Sequence, residues 1–230
     1  MRSAWFDTCS LDDLTFQQEL QIAGLVDGIS LVESTIEEEA RRLCGKAENI
    51  VLGGFSQGCA TALWALLVGA AVTRGRIGAF VGLSAWMPFM KEVKESVEVD
   101  LREEHSETVI QRLRHDIPEV LRIQPRVSMK FMQDCFKIPI YLGHGADVRI
   151  LGCISHYRTD LSFVLKDTLI SIENCYQISS ILTAVGATVS VREYVGAKRN
   201  GHWVKEPEQT DDIVRFLSKA LGTSDMPAVS

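Results

Sequence analysis

Residues 48–61 read ENIVLGGFSQGCAT, and the centre of this stretch, Gly54-Phe55-Ser56-Gln57-Gly58, restricts the possible folds more than any other part of the chain. Asn49-Ile50-Val51-Leu52 is a short apolar, β-branched run suited to a buried strand. After Gly53-Gly54 the pattern turns at once to Cys59, Ala60, Ala62, Leu63, Ala65, Leu66 and Leu67, small and apolar residues that suit a buried helix. A serine between two such elements, with glycine two residues to either side, matches the nucleophile elbow. There a tight turn excludes Cβ atoms at the flanking positions and lifts the hydroxyl beyond the sheet edge. The helix N-terminus beneath it offers free N–H groups and a positive dipole end to a developing oxyanion. A bare G-x-S-x-G is a weak signal; the strand-turn-helix context is what gives it weight.

The length of 230 residues, 46% of them hydrophobic, allows one substantial core in a single domain spanning 1–230. A net charge of −6 leaves no dominant basic face, which argues against nucleic acid as a partner. The long uncharged stretch over 49–73 contains Gly53, Gly54, Ser56, Gln57, Gly58 and Thr61. It changes periodicity midway, so it reads as a strand followed by a helix and no integral membrane segment is expected. The start, Arg2-Ser3-Ala4-Trp5-Phe6-Asp7, lacks the apolar core of a secretory signal. Cys9, Cys44, Cys59, Cys135, Cys153 and Cys175 have no C-x-x-C spacing and fit reduced thiols in a cytoplasmic protein, the nucleus being a further location the sequence allows.

Along the chain, Ser10-Leu11-Asp12-Asp13 predicts a helix start with Ser10 as N-cap. Ile22, Leu25, Val26, Ile29, Val32 and Ile36 then keep helical spacing, as one long or one broken helix, with Glu37, Glu38, Glu39, Arg41 and Arg42 on a solvated face. Residues 77–84 form a second buried strand ending at Trp86-Met87-Pro88-Phe89. From 91 to 126 the chain is strongly charged, a solvated excursion or a lid over a cleft, within which Val109, Leu113, Ile117, Val120 and Leu121 mark an amphipathic helix. Residues 136–143 form a third strand, followed by His144-Gly145-Ala146-Asp147. Residues 187–194 form a fourth, whose alternation suits a sheet edge. After Gly201-His202-Trp203 comes a helix begun by Pro207, with Ile213, Val214, Phe216, Leu217 and Leu221 inward. Strands separated by helices imply a mainly parallel α/β sheet flanked by helices. Active groups of such sheets gather at the carboxyl ends of the strands, where Ser56, the 144–147 segment and His202 all fall. The order Ser, acid, His is that of α/β-hydrolases.

Ala4-Trp5-Phe6-Asp7, Gly53-Gly54-Phe55-Ser56-Gln57-Gly58, Leu83-Ser84-Ala85-Trp86-Met87-Pro88, Gly143-His144-Gly145 and Gly201-His202 with the helix after Glu206-Pro207 together resemble the phospholipase/carboxylesterase family that includes acyl-protein thioesterases. The resemblance implies an α/β-hydrolase fold and a serine hydrolase that cleaves fatty acyl thioesters or carboxylesters, with S-acylated proteins, lysophospholipids or small acyl esters as substrates. It implies Ser56 as nucleophile and His202 as the base that takes its proton, with an acid holding the imidazole. His144 lies before the position of the acid and is expected to pack or hydrogen-bond behind the site.

In the family two residues separate His-Gly from the acid, and the position the acid would hold is Val148 here. Joining Asp147 to Asp167 restores the pattern, so Asp167 is the expected acid and Asp147 the runner-up. Residues 148–166 then read as an insertion, either a retained intron or a surface loop. The family's strands before the nucleophile, and the loop giving a second oxyanion donor, have no counterpart among residues 1–48. This implies an N-terminally truncated form, with the Gln57 N–H as the recognisable oxyanion donor. Trp5, Phe6, Trp86, Met87 and Phe89 could line an acyl pocket or pack the core. No metal or organic cofactor is implied: the histidines lack ligand spacing, and the glycine-rich turns match neither a Walker motif nor a dinucleotide fingerprint. A second class of function stays open beside the enzyme, a catalytically impaired relative that binds acyl chains or a partner.

Overall fold

The computed structural model describes residues 4–11, 13–69, 75–98, 106–121, 133, 136–146, 170–197 and 202–223. The four apolar runs are strands: β1 (Val51–Phe55), β2 (Ala79–Leu83), β3 (Pro139–Ala146) and β4 (Thr188–Val195). They form one sheet in the order β1-β2-β3-β4, parallel throughout. The register runs Val51 to Ala79 and Phe55 to Leu83 between β1 and β2, and Leu83 to Gly143 between β2 and β3. Each strand therefore ends at the same sheet edge as its neighbour. β4 lies at the margin, and the alternation of its exposed and half-buried residues reflects that place.

Among the described residues six α-helices frame the sheet: α1 (Ile22–Arg42), α2 (Gln57–Leu67), α3 (Met90–Glu98), α4 (Ser106–Leu121), α5 (Ile172–Ala184) and α6 (Glu208–Ala220). Residues in a strand alternate between faces. Phe80, Ile140 and Leu142 accordingly join the large core with α1 to α5, while Val81, Tyr141 and Tyr194 point the other way, onto Ile213, Phe216 and Leu217 of α6. α2 has no polar face, and every residue from Cys59 to Leu67 is buried. That explains an apolar run long enough to be mistaken for a membrane segment. Among the described residues no helix is long and apolar enough to cross a membrane.

Three details differ from the sequence reading. Ser10 Oγ does accept the Asp13 N–H at 3.0 Å, as an N-cap would, yet turns follow and helical structure begins with the 3-10 turn Gln18–Gln21. Leu11 is exposed, so no apolar stripe holds a helix there. Val214 is 39% exposed, because α6 covers the second face with a stripe only as wide as Ile213, Phe216 and Leu217. The charged stretch also contributes to the core: Val93 and Val97 of α3, and Val109, Ile110, Leu113 and Leu121 of α4, are buried in the main cluster.

The second face carries a half-buried polar latch. Tyr194 Oη donates to Asp212 Oδ2 at 2.5 Å. With that proton committed to a carboxylate, Tyr141 must donate to Tyr194 Oη, 2.6 Å away. The Tyr194 hydroxyl, and then Arg215, hold the Asp212 carboxyl below the usual carboxylate range. A depressed folded pKa contributes stability that is present above the unfolded value of about 3.9 and lost as pH falls through the folded one. Thermal stability should therefore decline below about pH 4 with a component that Asp212→Asn removes; an unchanged acid limb in the variant contradicts the latch.

Candidate active site

The polypeptide leaves β1 through Ser56 with φ 52° and ψ −119°, a backbone region that a non-glycine residue occupies at a cost of about 1–3 kcal/mol. Two backbone bonds hold it there. Its N–H donates to Leu83 O at 2.8 Å, and its carbonyl accepts the Ala60 N–H at 3.0 Å. The glycines either side are required for different reasons. A Cβ at Gly54 would stand 2.5 Å from Cys59 N and from the Gly58 carbonyl group, so the turn itself excludes a side chain. A Cβ at Gly58 would instead meet Trp5 Nε1 at 3.2 Å; the constraint there comes from the N-terminal segment, not from the turn.

Gln57 takes part through both ends of the residue. Its backbone N–H occupies the first position of α2, where no intrahelical partner exists, which suits an oxyanion donor. Its side chain clamps the N-terminal segment over the elbow: Oε1 accepts the Trp5 N–H at 3.0 Å, and Nε2 donates to Phe6 O at 2.7 Å and Thr8 Oγ1 at 3.1 Å. Gln57→Ala should loosen residues 5–8 and cost about 1–3 kcal/mol for the three bonds. Faster amide exchange at Trp5 checks this, and unchanged protection there contradicts it.

His202, half-buried, lies on the residue just before Ser56: its ring centroid is 4.9 Å from that of Phe55. Trp203 packs against the same ring at 5.5 Å and remains 36% exposed. Residues from two distant parts of the sequence thus meet at the carboxyl end of β1. The two acid candidates, Asp147 and Asp167, lie outside the described residues. The ends of the segment carrying them nonetheless come together. His144 is buried, and its Nε2 stands 3.0 Å from Ile170 O; a carbonyl only accepts, so Nε2 carries the proton. That bond places His144 behind the sheet edge as a brace.

Trp5 is 43% exposed, whereas Phe6, Trp86, Met87 and Phe89 are buried. Phe6 and Trp86 meet edge to face at 5.7 Å, as core residues do. Trp203 is an aromatic at this edge that periodicity does not reveal; its adjacency to His202 is the signal that points to it. Burial pushes the Cys175 thiol up to about 12, and Cys59 further still, so neither is a thiolate nucleophile. Among the described residues no group of three His, Cys, Asp or Glu side chains could hold a metal ion. Cavities of about 320 Å³, lined by Glu92, Ser96, Arg112 and Asp116, and about 310 Å³, lined by Thr188, Ser190 and Phe216, contain neither Ser56 nor His202.

Comparison with known proteins gives the following likenesses. Residues 1–108 match the family described as Phospholipase/Carboxylesterase. Acyl-protein thioesterase 1 of Yarrowia lipolytica is 34% identical over 85 residues, covering 37% of this chain and 34% of the relative. Acyl-protein thioesterase 1 of Cryptococcus neoformans is 31% identical over 107 residues, covering 46% and 40%. The alignments thus span between a third and two fifths of these relatives' length. Among solved structures, Zea mays acyl-protein thioesterase 2 has a TM-score of 0.56 at 20% identity, covering 95% of this chain and 73% of that one. Arabidopsis thaliana SOBER1 has a TM-score of 0.56 at 18% identity, with 95% and 74% covered. Through residues 1–108 in sequence and through the architecture of its sheet, this chain resembles the phospholipase/carboxylesterase family and has an α/β-hydrolase fold.

Proposed function

We propose that this chain is a serine hydrolase of fatty acyl thioesters or carboxylesters, acting on S-acylated proteins or small acyl esters in the cytoplasm. The observation that carries the reading is the strained Ser56 at a strand-to-helix turn, with the His202 ring packed at a tilt against the residue before it. Ser56 Oγ attacks the acyl carbonyl while His202 takes its proton, and the Gln57 N–H stabilises the oxyanion. His202 then returns the proton to the departing thiol or alcohol, leaving the acyl group on Ser56. Water, deprotonated by the same imidazole, releases the fatty acid. Asp167, with Asp147 as runner-up, orients His202. The relatives' names support the acyl thioester as substrate.

A fluorophosphonate probe tests this directly: covalent labelling of Ser56 in the folded protein is expected, and its absence removes the assignment. A second reading, a relative that binds acyl chains or a partner without hydrolysing them, draws on one observation. Among the described residues β1 pairs with β2 alone, so no neighbouring strand there carries a second oxyanion donor. Binding of a palmitoyl ester without turnover or labelling would favour that reading.

A further inference from the structure

The mechanism above gives no role to Gln209, yet this residue is one of the few buried polar groups among the described residues, 3% exposed in the first turn of a helix whose other first-turn side chains are exposed. Its Oε1 accepts the Lys205 N–H at 2.9 Å, and its own N–H donates to Lys205 O at 2.8 Å. The start of α6 is thereby clasped to the loop that carries His202 three residues earlier. The other end of the carboxamide rests on the sheet. A Cβ at Gly143 would stand 2.4 Å from Gln209 Nε2, so glycine at that position of β3 is what admits the amide. The contact continues to the nucleophile through two backbone bonds: Gly143 O accepts the Ser84 N–H at 2.9 Å, and Leu83 O accepts the Ser56 N–H at 2.8 Å.

We infer that Gln209 is a positioning residue for His202: seated on Gly143, it anchors the 202–206 loop to the same run of backbone bonds that holds Ser56, and so sets the imidazole relative to the nucleophile. The catalytic part of the inference rests on the hydrolase reading; the structural part does not. A reacting group displaced by about 1 Å can lose about a hundredfold in rate, which is why an anchor three residues away bears on chemistry.

The test compares Gln209→Met, which keeps volume and removes the acceptor, with Gln209→Glu, which keeps an acceptor for the Lys205 N–H. Two readouts are used. The His202 imidazole signal, assigned by its loss in His202→Asn, is followed by NMR, and the fluorophosphonate labelling rate is measured across about pH 5–9. In Gln209→Met the His202 signal should move, and labelling should slow about tenfold to a hundredfold with an altered pH profile. Gln209→Glu should return both towards the parent values. Gly143→Ala, which presses on the amide from the sheet side, should move the same signal and serves if Gln209→Met fails to fold. A lowered melting temperature with the His202 signal and pH profile unchanged in the folded variants would overturn the inference. Absence of labelling in the parent protein would overturn the hydrolase reading instead, and the NMR comparison would still decide the role of Gln209.

Discussion

Ser56→Ala should abolish fluorophosphonate labelling and ester hydrolysis, a fall of about 10⁴-fold or more, while the protein remains folded. The asymmetry follows from where the residue sits. Its structural contributions are backbone bonds, from its N–H to Leu83 O and to its carbonyl from Ala60, and alanine makes both. Alanine also meets the same φ of 52° at a steric cost close to that of serine, so stability should change by less than about 1 kcal/mol. The measurement pairs probe labelling with thermal unfolding. Labelling that persists in Ser56→Ala moves the nucleophile elsewhere; a collapse of the fold would make Ser56 a structural residue. Partial loss is expected from His202→Ala, since general base catalysis contributes about 10²–10⁴-fold.

Gly54→Ala should be the most damaging single-methyl change at the elbow. The added carbon would stand 2.5 Å from Cys59 N and from both atoms of the Gly58 carbonyl. These are backbone atoms of a helix buried on all sides, so no side chain can swing away and α2 itself must shift. Overpacking of this kind costs about 1–3 kcal/mol and sometimes more. Because Ser56 lies between the two clashing segments, the shift also displaces its hydroxyl, and labelling should slow by about a hundredfold. Gly58→Ala is the control. Its methyl would meet only the Trp5 ring at 3.2 Å, in a segment whose exposed indole can give way, so the effect should be several-fold smaller. Equal losses in the two variants would contradict the geometry of the turn.

Much of the frame is legible in the residues because it is local. Val51, Leu52 and the apolar residues after Ser56 announce a strand and a helix by their change of period, and the strands read at 77–84, 136–143 and 187–194 overlap β2, β3 and β4, although β3 runs on through His144, Gly145 and Ala146. Ser10 shows the limit of such reading. Its oxygen makes the local bond a cap should make, but a helix also needs an apolar stripe against something, and exposed Leu11 and Phe16 supply none. Phe6, Trp86 and Met87 show another. Aromatic and sulfur side chains suit an acyl pocket and a core equally, and residue type by itself does not foretell that Phe6 and Trp86 are buried with their rings edge to face.

What the sequence determines alone is the core of the elbow: Gly54 two residues before Ser56 and an apolar helix directly after it demand a tight turn, because the backbone of that turn itself leaves no room for a side chain at Gly54. What the tertiary structure decides is the company Ser56 keeps. The His202 ring on Phe55, the Gln57 amide across residues 5–8, His144 against Ile170 and Gln209 seated on Gly143 all join segments distant in the chain. Such contacts are set by the stacking of parallel strands, which brings their carboxyl ends to one edge regardless of separation in sequence, and no local pattern of residues encodes them.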